Sequence, residues 1–248
     1  MRLTAEPAFV LHARPWRETS LLVEVLGATQ GRIGLVARGV QGARRHVLRA
    51  ALQPLQSIRL DAVQQGELAR LVAAEALDAA PRLAGQAMLA GFYVNELVLR
   101  LCARGDALPD AYVAYARTRE RLRAGDALAW TLRRFERDLL AALGLGFEFD
   151  VDADGRAIDA AARYRLDAEA GPVRVRTERG VHERAGTATG RALLHLATDT
   201  VPTGDDLAGL RRALRAVLAH HLGPRGLASW DMLAALPRAP AQGDGAAG

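Results

Sequence analysis

The chain has 248 residues, with 33 basic residues against 28 acidic ones and a formal net charge of +5. All the basic residues are arginines, and the absence of lysine excludes Walker-type phosphate loops, protein kinases, Schiff-base enzymes and Ser-x-x-Lys acylases. The single cysteine, Cys102, excludes intrachain disulfides, all-cysteine zinc sites and iron–sulfur clusters.

The hydropathy pattern predicts a soluble protein of the cytoplasm. No apolar run reaches the roughly 18 residues that a membrane span needs, and the N-terminus has no signal-type apolar core. The lone cysteine fits a reducing compartment.

Five short segments with glycine punctuation predict strands in the first 80 residues. They are 8–12, 21–26, 32–38, 57–63 and 67–72. Pro15 is expected to end the first of them. Five such strands indicate a small barrel, and the OB-fold is the leading candidate. We therefore expect an α+β protein in which residues 1–80 form a five-stranded OB-fold barrel for nucleic-acid binding.

The positive charge is concentrated in the predicted barrel. From Val25 to Leu60 there is no acidic residue, and the arginines of this block are Arg32, Arg38, Arg44, Arg45, Arg49 and Arg59. Such a block is typical either of a patch for nucleic-acid phosphates or of an ordinary exposed loop. Its segment 39–52 has the glycines and paired arginines of a mobile basic arm.

Few aromatic side chains are available to stack on bases in the barrel. Phe9 lies within an apolar strand and is expected in the core, whereas Trp16 follows the proline and is expected to be exposed. Binding of a strand would therefore depend mostly on arginine–phosphate contacts, with weak base specificity and strong salt dependence.

After residue 81 the apolar spacing becomes helical and predicts a mainly α-helical domain over 81–236. Helices are expected over 83–103 and 109–123, in a third segment after Gly125 and Asp126, which supply a stop and an N-cap, and over 190–197, 205–222 and from Ser229. An irregular or short-stranded insert is expected at about 145–185 and a disordered tail over 237–248. Alternating charges at 117–121 and 133–138 are typical of solvated helix faces.

The sequence offers no catalytic centre and no cofactor site. Asp150, Asp152 and Asp154, followed by Gly155, match the opening of a calcium loop, but its twelfth position is Ala161 where a bidentate glutamate is required. A solvated Asp-Gly turn is favoured over a weak cation site.

Several segments together resemble the bacterial RecO family of recombination and repair proteins. Residues 8–20 read AFVLHARPWRETS, residues 51–55 read ALQPL, residues 93–97 read YVNEL and residues 132–136 read LRRFE. The resemblance runs from about residue 6 to residue 236, and the motifs come in the family's order.

This resemblance implies a non-enzymatic DNA-binding protein, associated with the nucleoid. Such a protein binds single- and double-stranded DNA, anneals complementary strands and helps to load recombinase onto DNA coated by single-strand binding protein. The implied partners are RecR and the C-terminal tail of the single-strand binding protein, with the tail contacting Arg133 and Arg134. No zinc is expected, because the stretch that holds four cysteines in some members has none here.

Combined with the basic block, the resemblance gives a set of candidate DNA contacts. They are Arg32, Arg38, Arg44, Arg45 and Arg49, with Arg14, Arg17 and Trp16 beside them. An RNA-binding OB-fold factor associated with ribosomes, a protein–protein adaptor and a metal-dependent nuclease remain open as alternatives.

Overall fold

The computed structural model describes residues 1–40, 46–175 and 186–234. The first five strands, all before residue 77, are β1 (Arg2–Trp16), β2 (Ser20–Gly27), β3 (Gly31–Ala37), β4 (Ser57–Gln65) and β5 (Leu68–Ala76). They form a closed barrel in the order β1-β2-β3-β5-β4. Alternation of apolar and polar residues fills its interior with fully buried side chains, among them Val10, Val23, Val25, Leu35, Ile58 and Leu60.

The barrel closes because β1 is long enough to pair with two neighbours. Its residues 8–16 pair with β2 and its residues 2–9 pair with β4, both antiparallel. On the other side, β3 and β5 run parallel where Leu35 meets Ala69. Five strands closed in this order confirm the predicted OB-type barrel.

The prediction that Pro15 ends the first strand is wrong. Pro15 pairs with Leu21, and β1 continues to Trp16. A proline lacks the N–H that a central strand must donate, but β4 pairs with β1 only as far as Phe9. In the described structure no strand lies on that side of Pro15 to require the donor.

The segment between β3 and β4 contains a short helix, α1 (His46–Ala51). Ala51 and Leu52 are buried against the barrel core and anchor the end of this helix. The second half of the predicted basic arm over 39–52 is therefore helical and packs on the barrel. Residues 41–45 lie outside the described residues.

Three helices follow the barrel: α2 (Gly85–Leu101), α3 (Pro109–Ala124) and α4 (Leu128–Ala142). Gly125 ends α3 in the left-handed conformation, with φ of 77°, as predicted. Asp126 is not the N-cap of α4, since that position is Ala127. The backbone N–H of Asp126 instead donates to the Arg121 carbonyl at 3.0 Å, which completes the end of α3.

The rest of the chain packs a small sheet against further helices. The strands are β6 (Arg163–Asp167), β7 (Gly171–Arg174) and β8 (Thr187–Thr189), in the order β7-β6-β8, and the helices are α5 (Gly190–Ala197), α6 (Gly204–Leu222) and α7 (Ala228–Ala234). Residues 176–185 of the predicted insert and the predicted tail lie outside the described residues. None of the described helices is long and apolar enough to cross a membrane.

A shared core joins the barrel to the helices. The Phe9 ring lies 4.9 Å from that of Tyr112 and 5.0 Å from that of Tyr115, centroid to centroid. Asn95 donates to the Leu11 carbonyl at 2.8 Å and accepts from the Tyr115 hydroxyl at 2.6 Å. Phe9 is buried as predicted, but its ring partners belong to α3.

Some charged residues in the alternating runs of α3 and α4 are buried. Arg119 is only 2% exposed, and it donates to the Leu55 carbonyl at 2.6 Å and to Asp78 at 2.7 and 2.8 Å. Arg133 and Glu136 are 4% and 1% exposed. The prediction of solvated faces is wrong at these positions, because each charge has a partner that lets it be buried.

Candidate nucleic-acid interface

One end of the barrel brings together predicted DNA contacts from two strands. In the β1–β2 hairpin Trp16 pairs with Ser20. The next residue of β2, Leu21, pairs with Ala37 at the end of β3, and Arg38 follows directly. This register places Arg38 beside the hairpin turn that carries Trp16.

The hairpin turn presents an aromatic ring and two arginines to solvent. Trp16 is 38% exposed, and the guanidinium carbon of Arg14 lies 5.9 Å from the centroid of its ring. Arg17 is exposed in the turn itself, with φ of 55°. An exposed indole can stack on a base while neighbouring arginines reach the phosphates.

Arg38, directly after β3, and Arg49, within α1, are both exposed. They lie on either side of the segment that links β3 to α1. Gly39 turns the chain out of β3 with φ of 67°, a conformation that glycine adopts without strain. Buried Val40 holds the start of the segment against the barrel. Within the described residues, no carboxylate pairs with either guanidinium. Both are available to an anion from solution.

Two members of the predicted set, Arg44 and Arg45, lie outside the described residues. Their contact with phosphates stays a prediction from the sequence.

Arg32 joins the barrel to the helices, a placement the sequence did not predict. Its Nη1 donates to the Leu99 carbonyl at 2.6 Å and lies 3.9 Å from Glu24, and its side chain is 18% exposed. Arg104 forms an ion pair with the same carboxylate, and this hydrogen bonding raises the pKa of Arg104. The acid-free block begins at Val25, directly after Glu24. The block therefore excludes the carboxylate that lies next to Arg32 in the fold.

In the helical region, Arg133 is part of a buried triad. Its Nε donates to Glu136 Oε2 at 2.7 Å, and the Tyr93 hydroxyl donates to Oε1 at 2.5 Å. Burial disfavours the charge of Arg133, but Glu136 outweighs this effect and holds the pKa of the guanidinium above its usual value. Burial raises the pKa of Tyr93, and the Glu136 carboxylate raises it further.

Arg134 is the more accessible of the two predicted partner contacts. Its side chain is 21% exposed and forms an ion pair with Asp199. Its guanidinium carbon lies 5.9 Å from the ring centroid of Trp130.

The acidic segment after α4 adopts the geometry of a turn. Asp152 Oδ1 accepts the backbone N–H groups of Asp154 at 3.0 Å and of Arg156 at 2.9 Å, and Gly155 has φ of 76°. Across the part of the chain that the structure describes, no three His, Cys, Asp or Glu side chains lie close enough to hold a metal ion.

Comparison with known proteins matches the N-terminal and C-terminal regions of the chain to the same family. The family model described as "Recombination protein O N terminal" matches residues 1–80, and "Recombination protein O C terminal" matches residues 82–231. DNA repair protein RecO of Stenotrophomonas maltophilia (strain K279a) is 64% identical over 233 residues, which cover 94% of this chain and 97% of that relative.

Two further relatives with the same name extend this result. DNA repair protein RecO of Xylella fastidiosa (strain M12) is 60% identical over 95% of this chain and 97% of its own length. That of Xanthomonas oryzae pv. oryzae (strain PXO99A) is 58% identical over 96% of this chain and 99% of its own. The resemblance seen in the sequence is confirmed, and the chain belongs to the RecO family of DNA repair proteins.

Proposed function

We propose that this protein is a non-enzymatic recombination mediator that binds single- and double-stranded DNA. It anneals complementary strands and assists recombinase loading on strands coated by single-strand binding protein. The observation that carries the proposal is the exposed end of the barrel, where Arg14 lies over Trp16 and the register brings Arg17 and Arg38 to the same end. Membership of a DNA repair family supports DNA as the polyanion that these arginines bind.

The mechanism is electrostatic. Two complementary strands repel each other through their phosphates, and each arginine that contacts a phosphate removes part of this repulsion and releases condensed counterions. Guanidinium groups suit the task because they bind phosphate oxygens bidentately. Phosphate contacts do not read sequence, so the bases stay free to pair with an incoming strand.

The partner contacts are also part of the proposal. RecR binds the protein, and the C-terminal tail of the single-strand binding protein docks on the helical region at Arg134. Arg133 holds that part of α4 through its buried pair with Glu136. The complex acts in the cytoplasm, at the nucleoid.

A strand-annealing assay tests the proposed function. We expect the protein to accelerate annealing of naked strands, and to anneal strands coated by single-strand binding protein only when that protein keeps its tail. Annealing of coated strands that does not depend on the tail would remove the partner role from Arg134. A matched RNA oligonucleotide serves as competitor, since only RNA offers a 2′-hydroxyl.

The outcomes of this assay separate the remaining alternatives. Tighter binding of RNA than of DNA would favour an RNA-binding factor, and no binding of either at low salt would favour an adaptor. Cleavage of the strands with magnesium, abolished by a chelator, would favour a nuclease.

A further inference from the structure

A groove of about 470 Å³ lies between the edge of the barrel and the outer face of α3. Phe9 and Ser57 contribute to its lining from the barrel, and Arg117 and Arg121 contribute to it from α3. These two arginines are one helical turn apart, and neither belongs to the basic block or to the predicted tail contact.

The acidic groups of this groove are already neutralised. Asp78 accepts from Arg119 and Arg123, each with its shortest contact at 2.7 Å, and Glu120 pairs with Arg119 at 2.8 Å. The two carboxylates and these two guanidinium groups thus neutralise one another's charge. The other two arginines of the groove contribute positive charge that these carboxylates do not offset.

Arg121 has donor capacity that the protein does not use. Its Nη1 is buried and has no hydrogen-bond partner among the described residues. Burial lowers the pKa of Arg121, and the nearby guanidinium of Arg134 lowers it further. Asp138 and Asp199 also lie nearby, but they pair with Arg134 and Arg137. Nη1 itself is shielded from solvent, so an anion in the groove would meet the partly exposed remainder of the Arg121 side chain. Such an anion would stabilise the crowded positive charge.

The groove continues the basic surface of the barrel. The Leu55 carbonyl, in the chain between α1 and β4, accepts from Arg119 at 2.6 Å, so α3 lies beside the segment that follows Arg49. Arg117 and Arg121 are separated by about 6 Å along the helix axis. That separation suits contacts with successive phosphates of one extended strand.

We propose that Arg117 and Arg121 bind backbone phosphates of a DNA strand that extends from the barrel across α3. This second phosphate-binding surface rests on the proposed function. The groove favours a nucleic-acid strand over an acidic, apolar peptide because five of the eight residues that line it are charged. Its one aromatic side chain, Phe9, is 5% exposed and covered by Arg119. Phosphate recognition requires only charge and donors.

The test is the salt dependence of single-strand affinity for Arg117→Ala with Arg121→Ala. We expect the slope of log affinity against log salt to become shallower by about 1.4, since each lost phosphate contact removes about 0.7. Arg156→Ala is the matched control, because its side chain is 73% exposed in the turn after α4, and it should keep the wild-type slope. Arg117→Ala alone removes an exposed side chain, leaves the fold intact and should make the slope shallower by about 0.7.

Each outcome separates this inference from the proposed function. A wild-type protein whose DNA affinity ignores salt would overturn both. A normal wild-type slope that persists in both variants overturns the second surface alone. Unchanged DNA slopes together with lost binding of the tail peptide of single-strand binding protein would make the groove a peptide site, which also overturns the inference.

Discussion

Arg133→Ala is expected to lower the free energy of unfolding by about 3–5 kcal/mol, the loss typical of a buried ion pair that keeps only one partner. The substitution would leave the Glu136 carboxylate 1% exposed, with the Tyr93 hydroxyl as its remaining donor in the triad. Urea unfolding, read from the midpoint at constant m-value, measures the change.

Arg134→Ala is the matched control for this prediction. It removes the same side chain from the next residue of α4, but its ion-pair partner Asp199 is 42% exposed. Such pairs contribute up to about 1 kcal/mol. The double change Arg133→Met with Glu136→Leu should recover part of the lost stability, because no buried charge is left unpaired and only the Tyr93 hydroxyl loses its acceptor. Equal losses for the two single variants would contradict the burial of Arg133.

These variants also separate folding from partner binding. We expect Arg133→Ala to weaken tail binding through its loss of stability, since this side chain is 4% exposed. Arg134→Ala is expected to leave the fold intact and to report on contact with the tail.

Arg38→Glu with Arg49→Glu is expected to weaken single-strand DNA binding roughly 100-fold, at two charge-assisted contacts of about 1.5 kcal/mol each. Both side chains are exposed, so the fold should persist. The loss should be the same for strands of any base sequence, because phosphate contacts carry no sequence information. Fluorescence anisotropy with labelled oligonucleotides of different composition measures it.

The control for this variant carries the same change in net charge at a different place. Arg156 and Arg174 are exposed in and beside the turn after α4, and their double reversal to glutamate should cost far less affinity. Similar losses in both double variants would mean that total charge, and not the barrel end, determines binding.

The barrel could be predicted because its signals are local. Apolar alternation between glycines marks the strands, and the left-handed Gly125 marks the end of α3. The prediction at Pro15 is wrong because a proline is tolerated where β1 has no neighbour on one side, and strand pairing is not visible in a single segment. The prediction at Asp126 is wrong because its backbone N–H completes the end of α3, and the residue does not start α4.

The candidate site was harder to predict because the role of an arginine depends on its partners. Arg32 and Arg38 lie in the same acid-free block, yet the carbonyl of Leu99 binds the first and no carboxylate of the described structure pairs with the second. Arg117 and Arg121 fall in an alternating run that is typical of a solvated face. Only the packing of α3 on the barrel shows which charges of that run are already neutralised.

Electrostatic binding of DNA by the barrel arginines is tested most directly by the salt dependence of wild-type affinity for a single strand. If the protein neutralises about four to six phosphates, log affinity should fall linearly against log salt with a slope of about −3 to −4. An affinity that does not change with salt would contradict the electrostatic mechanism.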